Sequence, residues 1–262
     1  MKILLTGSSG NLGSHLMRID KSITGITRDN WHCLNELMVS ADIVVHAAYD
    51  LKNSISEHPA GFFDSNLMAT MHLLESMKKT NTSRLYFISS CAVYGDVTHM
   101  REDVMCNPIS INGIVKYLNE KVIAQYCLDN GIKFTFLRLF NTYAGNDTFS
   151  VLNKLRRAAY NNECFNLNNG GLSQRDFIHV EDVASIIMKL IDVEPSDTCI
   201  NIGSGKAVKI FDLFQAVKKN HPLMKVKKTN SYEIEYARAD TTRLLSLVPH
   251  DFLSVFSYID GI

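Results

Sequence analysis

Residues 6 to 13 read Thr6-Gly-Ser-Ser-Gly-Asn-Leu-Gly13, between an apolar strand pattern and an amphipathic helix pattern, and this stretch decides the fold. Gly7 allows a tight turn, Gly10 lets the backbone approach a pyrophosphate, and Gly13 lets the helix pack closely on the strand. The free N–H groups and the positive end of the helix favour phosphate. The context therefore predicts a dinucleotide site. Its expected residues are Gly7, Ser9, Gly10, Asn11, Leu12 and Gly13.

Short apolar segments alternate with longer helical patterns along most of the chain. This alternation predicts βαβ units and a parallel sheet. The strand segments are nearly continuous in apolar residues, as expected for a sheet that is covered on both faces. The fold class predicted is therefore α/β, a doubly wound parallel sheet of the Rossmann type. The predicted strands are Lys2–Thr6, Ser22–Thr27, Asp42–Ala47, Arg84–Ser89 and Phe134–Leu139, and the predicted helices are Asn11–Ile19, Trp31–Val39, Pro59–Lys79 and Ile109–Asn130.

The second half of the chain has a looser pattern, with a Gly- and Asn-rich turn at 168–171. We expect it to form a small C-terminal substrate-binding lobe over the carboxyl edge of the sheet, where open α/β sheets bind ligands. The expected division is a dinucleotide-binding core at 1–163 and a lobe at 164–262, with 177–202 returning to the core. The two parts should form one compact unit. The later predicted elements are Phe149–Asn161, Phe177–His179, Val180–Val193, Cys199–Ile202 and Ile210–Lys219.

Composition excludes several functional classes. The 262 residues are 46% hydrophobic and 21% charged, and 27 Lys and Arg balance 27 Asp and Glu. A net charge of zero argues against a nucleic-acid or anionic-membrane partner. No apolar stretch approaches the roughly 20 residues that span a bilayer, and the six scattered Cys suit reduced thiols rather than a metal site. We expect a cytoplasmic protein without a bound metal.

The end of the second predicted strand bears on the choice of dinucleotide. An acidic side chain at this position favours NAD, whereas a basic one favours the 2′-phosphate of NADP. The chain has Thr27-Arg28-Asp29 here, so Arg28 favours NADP. Asp29 keeps NAD possible, and Arg28 as a simple solvated charge is the alternative.

Ordered motifs over almost the whole chain resemble the extended short-chain dehydrogenases/reductases of the NAD-dependent epimerase/dehydratase family. In these enzymes a Ser, a Tyr and a Lys act on a nucleotide-diphosphate sugar beside a nicotinamide cofactor. The motifs that carry the resemblance are Thr6–Gly13, Asp42–Ala48, Asn66–Thr70, Ile88–Gly95, Pro108–Lys116, Arg138–Tyr143, Arg175–Ala184, Asn201–Gly205 and Ala239-Asp240.

The resemblance assigns roles to individual residues. Ser90 matches the hydroxyl that bonds the reacting sugar oxygen, and Lys116 matches the Lys that binds the nicotinamide ribose. Asn141 and Arg175 match positions that hold the nucleotide and its diphosphate, which suits amide and guanidinium donors. The residues implied to line the cofactor are Ala47, Ala48, Asn66, Lys116 and Phe140.

One departure affects the chemistry. The family's Tyr is four residues before its Lys, only about 40° away around the helix, but this chain has Asn112 there. An amide has no accessible pKa, so Asn112 cannot serve as the acid or base. Tyr117 points about 140° away from Asn112 and is no easy substitute. Water, a ribose–Lys116 relay or Cys91 would then carry the proton.

A second departure concerns the reaction. Dehydratases of the family have Asp-Glu after the Ser, whereas this chain has Cys91-Ala92, which disfavours dehydration and places Cys91 at the substrate. The resemblance implies an NAD(P)-dependent ketoreductase or epimerase in polysaccharide or deoxysugar biosynthesis. The alternative is a non-catalytic member that binds dinucleotide as a sensor, scaffold or regulatory subunit.

Two long helical patterns, 59–79 and 109–130, carry apolar residues on more than one face. A helix of this kind usually buries a second surface, and in the resembled family these two helices form a dimer contact. We therefore expect a homodimer. The apolar residues concerned are Leu67, Met71, Leu74, Val115, Leu118 and Val122.

Overall fold

The computed structural model describes residues 1–50, 55–78, 80–161 and 163–261. Ten α-helices lie in these ranges, and the predicted helix end at Lys79 falls outside them. The helices α1 to α10 are Asn11–Ile19, Leu34–Met38, Pro59–Phe63, Ala69–Met77, Ile111–Asn130, Val151–Tyr160, Val180–Val193, Ile210–Asn220, Thr242–Leu247 and Val255–Ile259. None of the described helices is both long and apolar enough to cross a bilayer.

The central sheet has six parallel strands in the order β2-β1-β3-β4-β5-β9. The order reverses between β1 and β3, which is the switch point at which such sheets bind ligands. The loop after β1 and the loop after β3 both leave the sheet at this point. The strands β1 to β12 are Ile3–Thr6, Thr24–Ile26, Ile43–His46, Arg84–Ser90, Lys133–Leu139, Asn141–Tyr143, Phe165–Asn168, Gln174–His179, Cys199–Ile202, Ala207–Lys209, Val226–Thr229 and Tyr236–Ala237.

Alternating strand side chains fill two apolar layers, one on each face of the sheet. Leu5 and Val45 pack with the helices on one face, and Leu4 and Val44 pack with those on the other. Both layers are built from side chains that are almost fully buried. The doubly wound α/β prediction is therefore confirmed.

The remaining strands form two smaller sheets, which together with the helices that cover them we call the small lobe. Strand β8 pairs with β6, β10 and β12, and β7 pairs with β11. Helices α6, α8 and α10 cover a third apolar cluster that includes Leu152, Leu213 and Val255. Strand β9 lies between the lobe segments in sequence, but it pairs with β5 in the central sheet.

The predicted long helix 59–79 is interrupted. Residues Asp64–Met68 form a π-helical turn between α3 and α4, a feature that periodicity cannot separate from an ordinary helix. The second long helix, α5, begins at Ile111 rather than 109 because Ser110 caps it, accepting a bond from Gly113 N at 3.2 Å. Gly131 ends it in the left-handed conformation, with φ of 66°.

A buried ion pair attaches α5 to the sheet. The Glu120 carboxylate accepts bonds from Arg138 Nε at 3.0 Å, from Arg138 Nη2 at 2.7 Å and from Ser89 Oγ at 2.5 Å. Both charged side chains are nearly excluded from water. Since Lys116 is one turn before Glu120, this pair also fixes the part of α5 that reaches the site.

Candidate active site

The glycine turn after β1 is tightly packed and leads directly into α1. Gly7 has φ of +74°, and a Cβ on it would lie 2.7 Å from Ala48 N, so the loops after β1 and β3 touch. Gly10 starts α1 without a side-chain cap among the described residues. The first N–H groups of α1 therefore remain available to an anion. Asn11 is held by Ala144 O at 3.0 Å and by Asn146 N at 2.8 Å.

Replacing Gly13 by Ala should open this turn. The added Cβ would lie 2.1 Å from Gly7 O and 2.7 Å from Ser8 Cα, and backbone atoms cannot move aside as a side chain can. We expect a loss of about 1–3 kcal/mol in unfolding free energy, and calorimetry should show weaker dinucleotide binding. Gly61→Ala is the control, because its nearest atom would be His58 Cβ at 3.9 Å. Equal behaviour of the two variants would contradict the close-packing argument.

A single cavity of about 1590 Å³ runs from the glycine turn to the small lobe. It exceeds the roughly 300–1,000 Å³ of ordinary ligand pockets, so it has room for a dinucleotide and a second ligand. Eleven of the predicted residues line it. They are Gly7, Ser9, Gly10, Asn11, Leu12, Gly13, Arg28, Ala47, Ala48, Asn141 and Arg175.

Arg28 is at the adenosine end of the expected dinucleotide position. Its Nη2 pairs with Asp50 Oδ2 at 3.0 Å, although the Arg28 side chain remains 71% exposed. Asp50 follows β3 and is buried, and Asn66 holds its backbone with bonds of 2.6 Å and 3.1 Å. The Asn66 amide thus fixes the β3 loop. Phe140, also predicted at the cofactor, packs with Val93 in a separate apolar cluster.

Helix α5 brings Lys116 and Asn112 to a tyrosine that the motif comparison did not single out. Tyr49 Oη donates to Asn112 Oδ1 at 3.0 Å, and Lys116 Nζ lies 4.2 Å from the centroid of the Tyr49 ring. Tyr49 itself lines the cavity. Its only sequence signal is its place directly after Ala47-Ala48. Ser90 Oγ accepts from Ala92 N at 3.2 Å at the end of β4.

Burial shifts the acid–base properties of these groups. It lowers the pKa of Lys116 to about 7, while the nearby Glu120 carboxylate opposes the shift. It raises the pKa of Tyr49 to about 12. Burial and the Asp176 carboxylate raise the pKa of Cys91 to about 12, so its thiol stays protonated at neutral pH. Burial also lowers the pKa of His46 to about 3, which leaves its ring neutral.

Two of the predicted substrate residues, Asn141 and Arg175, line the cavity, whereas the third, Cys91, is not among its lining residues. Arg175 Nη1 donates to Gln174 O at 2.9 Å, and its Nη2 lies 3.5 Å from Glu233 Oε2. Asn141 Nδ2 donates to Asp176 O at 3.0 Å. A guanidinium and an amide among the lining residues suit an anionic ligand, and Glu233 reduces the net positive charge that the ligand meets. No cluster of metal-binding side chains occurs among the residues that the structure describes.

Comparisons with known proteins agree with this architecture. The chain is 25% identical over 269 residues to UDP-glucose 4-epimerase of Lactobacillus helveticus, covering 84% of this chain and 81% of the relative. It is 26% identical over 275 residues to GDP-6-deoxy-D-talose 4-dehydrogenase of Aggregatibacter actinomycetemcomitans, covering 96% and 92%.

The fold recurs in a crystal structure of UDP-glucuronic acid 4-epimerase from Bacillus cereus, in complex with UDP-glucuronic acid and NAD. The TM-score is 0.87 at 21% identity, with 100% of this chain and 99% of that chain covered. The model of the NAD dependent epimerase/dehydratase family matches residues 3–203. The chain is therefore a member of the NAD-dependent epimerase/dehydratase family.

Proposed function

We propose that this protein is an NAD(P)-dependent enzyme that reduces or epimerises a nucleotide-diphosphate sugar in polysaccharide or deoxysugar biosynthesis. The observation that carries the proposal is the single cavity, which joins the glycine turn to Asn141 and Arg175. The names of the relatives support a nucleotide sugar as the second ligand. Cys91-Ala92 after Ser90 favours ketoreduction or epimerisation over dehydration.

Different residues of the chain would bind the cofactor and the sugar nucleotide. The Gly7–Gly13 turn and the start of α1 would hold the pyrophosphate of the dinucleotide, and Lys116 would bind its nicotinamide ribose. The cofactor, when bound, supplies or accepts the hydride. Ser90 Oγ, which is an acceptor for Ala92 N, retains its own proton to donate to the sugar oxygen. Arg175 and Asn141 would hold the diphosphate of the sugar nucleotide.

Turnover assays test the function. Purified protein should oxidise NAD(P)H with 4-keto UDP-, dTDP- or GDP-hexoses, or interconvert the 4-epimers of a UDP-hexose. Calorimetry on the same sample measures dinucleotide binding. Binding of dinucleotide without turnover of any of these sugars would favour the sensor or scaffold role instead.

We expect NADP to bind more tightly than NAD, and Arg28→Ala to reduce the affinity for NADP by about tenfold, or about 1.4 kcal/mol. The physical reason is that the exposed guanidinium of Arg28 retains donors for a 2′-phosphate beside its pair with Asp50. Calorimetric titration with both dinucleotides measures the effect. Arg18→Ala, the same change of charge on the exposed surface of α1, is the control. An equal loss for NAD and NADP would remove the role of Arg28.

We also propose a homodimer through α5 and the helical stretch from α3 to α4, whose π-helical turn includes Met68. Ile114 and Leu118 are four residues apart on α5 and are 46% and 41% exposed, and Met68 is 41% exposed. Of the apolar residues named from the sequence, Leu74 and Val115 face the core, at 4% and 0% exposure, so they are not part of this contact surface. The amphipathic pattern did not separate core from outer face.

Light scattering tests this assembly. The native protein should show twice the 29.5 kDa mass of the chain, and Leu118→Lys should shift the mass towards the monomer because a charge would enter the apolar contact. Leu128→Lys, at a 70% exposed position further along α5, should leave the mass unchanged. A monomeric native protein at micromolar concentration would refute the dimer.

A further inference from the structure

Tyr49 is the one tyrosine of the described chain that lines the large cavity. The backbone on both sides of it is fixed. Ala48 N donates to Thr6 Oγ1 at 3.3 Å, and the N–H and C=O of Asp50 both bond the buried Asn66 amide. These bonds fix the backbone position from which the Tyr49 side chain extends, and the contacts of the side chain itself decide where the phenol lies.

The side chain of Tyr49 contacts two residues of α5, Asn112 and Lys116. Its hydroxyl is 3.0 Å from Asn112 Oδ1, and the centre of its ring is 4.2 Å from Lys116 Nζ. An ammonium at this distance from an aromatic face is attracted to the ring. The phenol oxygen thus lies beside Asn112 and the ring lies against Lys116, although Tyr49 belongs to the loop after β3.

The other titratable groups nearby are poorly suited to proton transfer. His46 is buried between Thr6 and Thr70, at 2.6 Å and 3.0 Å, and it does not line the cavity. The Asp50 carboxylate is paired with Arg28. The Cys91 thiol is held protonated by burial, which raises its pKa, and Asn112 does not titrate. Lys116 Nζ donates to Ile88 O at 2.7 Å and, like His46, is not among the residues that line the cavity. Tyr49 is the titratable hydroxyl that both lines the cavity and contacts α5.

We propose that Tyr49 is the catalytic proton donor of this enzyme and that its phenol does the work for which Asn112 is unfit. This assignment rests on the proposed function. In ketoreduction the sugar carbonyl carbon gains a hydride, with its two electrons, from the reduced nicotinamide. The carbonyl oxygen gains the proton of Tyr49, so the C=O π bond breaks while a C–H and an O–H bond form. The phenolate recovers a proton from water, and oxidation of the alcohol reverses each step.

Asn112 can hydrogen-bond to Tyr49 in both protonation states of the phenol. An amide has both an acceptor and a donor end, and rotation about its terminal torsion exchanges them. Asn112 accepts from the neutral phenol through Oδ1, and its Nδ2 would donate to the phenolate. Since burial raises the pKa of Tyr49 to about 12, the phenol carries its proton at neutral pH. A donor in this state suits reduction better than oxidation.

Single-turnover oxidation of NAD(P)H by the 4-keto hexose on which the native protein turns over tests the assignment. Tyr49→Phe retains the ring over Lys116 and removes only the hydroxyl, so the rate constant should fall by about 10²- to 10⁴-fold. Dinucleotide affinity and melting temperature should not change. Tyr117→Phe removes a tyrosine hydroxyl from a different face of α5 and should leave the rate unchanged. Tyr117 contacts Lys121 on α5, with the ammonium 4.9 Å from its ring.

A second pair of variants moves the phenol. Tyr49→Ala combined with Asn112→Tyr should be at least about tenfold faster than Tyr49→Ala alone, as expected if a positioned acid is returned to the site. Asn112→Tyr alone should give no gain, because the Tyr49 hydroxyl is already 3.0 Å from the side chain at 112. A double variant that is no faster than Tyr49→Ala would overturn the equivalence of the two positions.

The outcomes separate the two proposals. An active native protein with an equally active Tyr49→Phe variant would overturn the role of Tyr49 and leave the function intact. A Tyr49→Phe variant that loses rate and dinucleotide binding together would show a structural role instead, which also overturns the assignment. A native protein that binds dinucleotide but turns over none of the sugars would overturn both.

Discussion

Glu120→Ala should lower the free energy of unfolding by about 3–5 kcal/mol, because it leaves the Arg138 guanidinium buried without its counter-ion. The Arg138 side chain is 7% exposed, and two of its nitrogens donate to Glu120 at 3.0 Å and 2.7 Å. The Ser89 hydroxyl would lose its acceptor as well. Chemical denaturation monitored by circular dichroism measures the change.

Two further variants make this test specific. Asp103→Ala breaks the Arg101–Asp103 pair, in which the side chains are 59% and 61% exposed, and should cost no more than about 1 kcal/mol. Glu120→Leu with Arg138→Met removes both charges and should recover most of the loss, as apolar replacements of buried pairs do. A loss below about 1 kcal/mol in Glu120→Ala would mean that water reaches the guanidinium.

Lys116→Met should raise the free energy of unfolding at pH 7 by roughly 2–4 kcal/mol while it abolishes turnover. Burial lowers the pKa of Lys116 from 10.5 to about 7, and each tenfold weakening of proton binding corresponds to about 1.4 kcal/mol. Loss of the hydrogen bond from Lys116 Nζ to Ile88 O, 2.7 Å long, removes about 1 kcal/mol of this gain in unfolding free energy. Stability given up for a charged group in this position is typical of a functional site.

The sign of the pH dependence provides a stricter test. Between about pH 7 and 10.5 the unfolded chain binds the Lys116 proton and the folded chain does not, because the folded-state pKa is the lower one, so native stability rises with pH across this window. Below about pH 7 both states bind the proton, and the folded state carries the full free-energy cost of the buried Lys116 charge. The advantage of Lys116→Met should therefore be largest at and below the lowered pKa and should vanish near the ordinary one. Lys121→Met, at an exposed position further along α5, should change stability by no more than about 0.5 kcal/mol. An advantage independent of pH would contradict the lowered pKa of Lys116.

Much of the fold was predictable because its signals are local. The helices Asn11–Ile19 and Val180–Val193 and the strand Cys199–Ile202 have the predicted bounds, since periodicity and the flanking residues define each of them. The glycine turn was also predictable, because its chemistry depends on neighbours within one short loop. The predicted alternation of strands and helices then implied a parallel sheet with helices on both faces.

The rest depends on contacts between distant segments. The strand Ala207–Lys209 exists because it pairs with β8, and three residues alone carry no strand pattern. Asn66 was expected at the cofactor, yet its amide bonds the backbone of Asp50. This contact forms because the loop after β3 approaches Asn66, and the local sequence does not show that approach. Tyr49 carries no motif, and its importance follows from contact with Asn112 on a helix that is distant in sequence.

The strand order also constrains how the chain folds during synthesis. Strand β5 is complete at Leu139, but its outer neighbour β9 begins at Cys199, after the first segments of the lobe. A nascent chain that ends between these points exposes the edge of β5, with unpaired N–H and C=O groups that can pair with other chains. A fragment that ends at residue 163 should therefore aggregate rather than form an independent dinucleotide-binding unit.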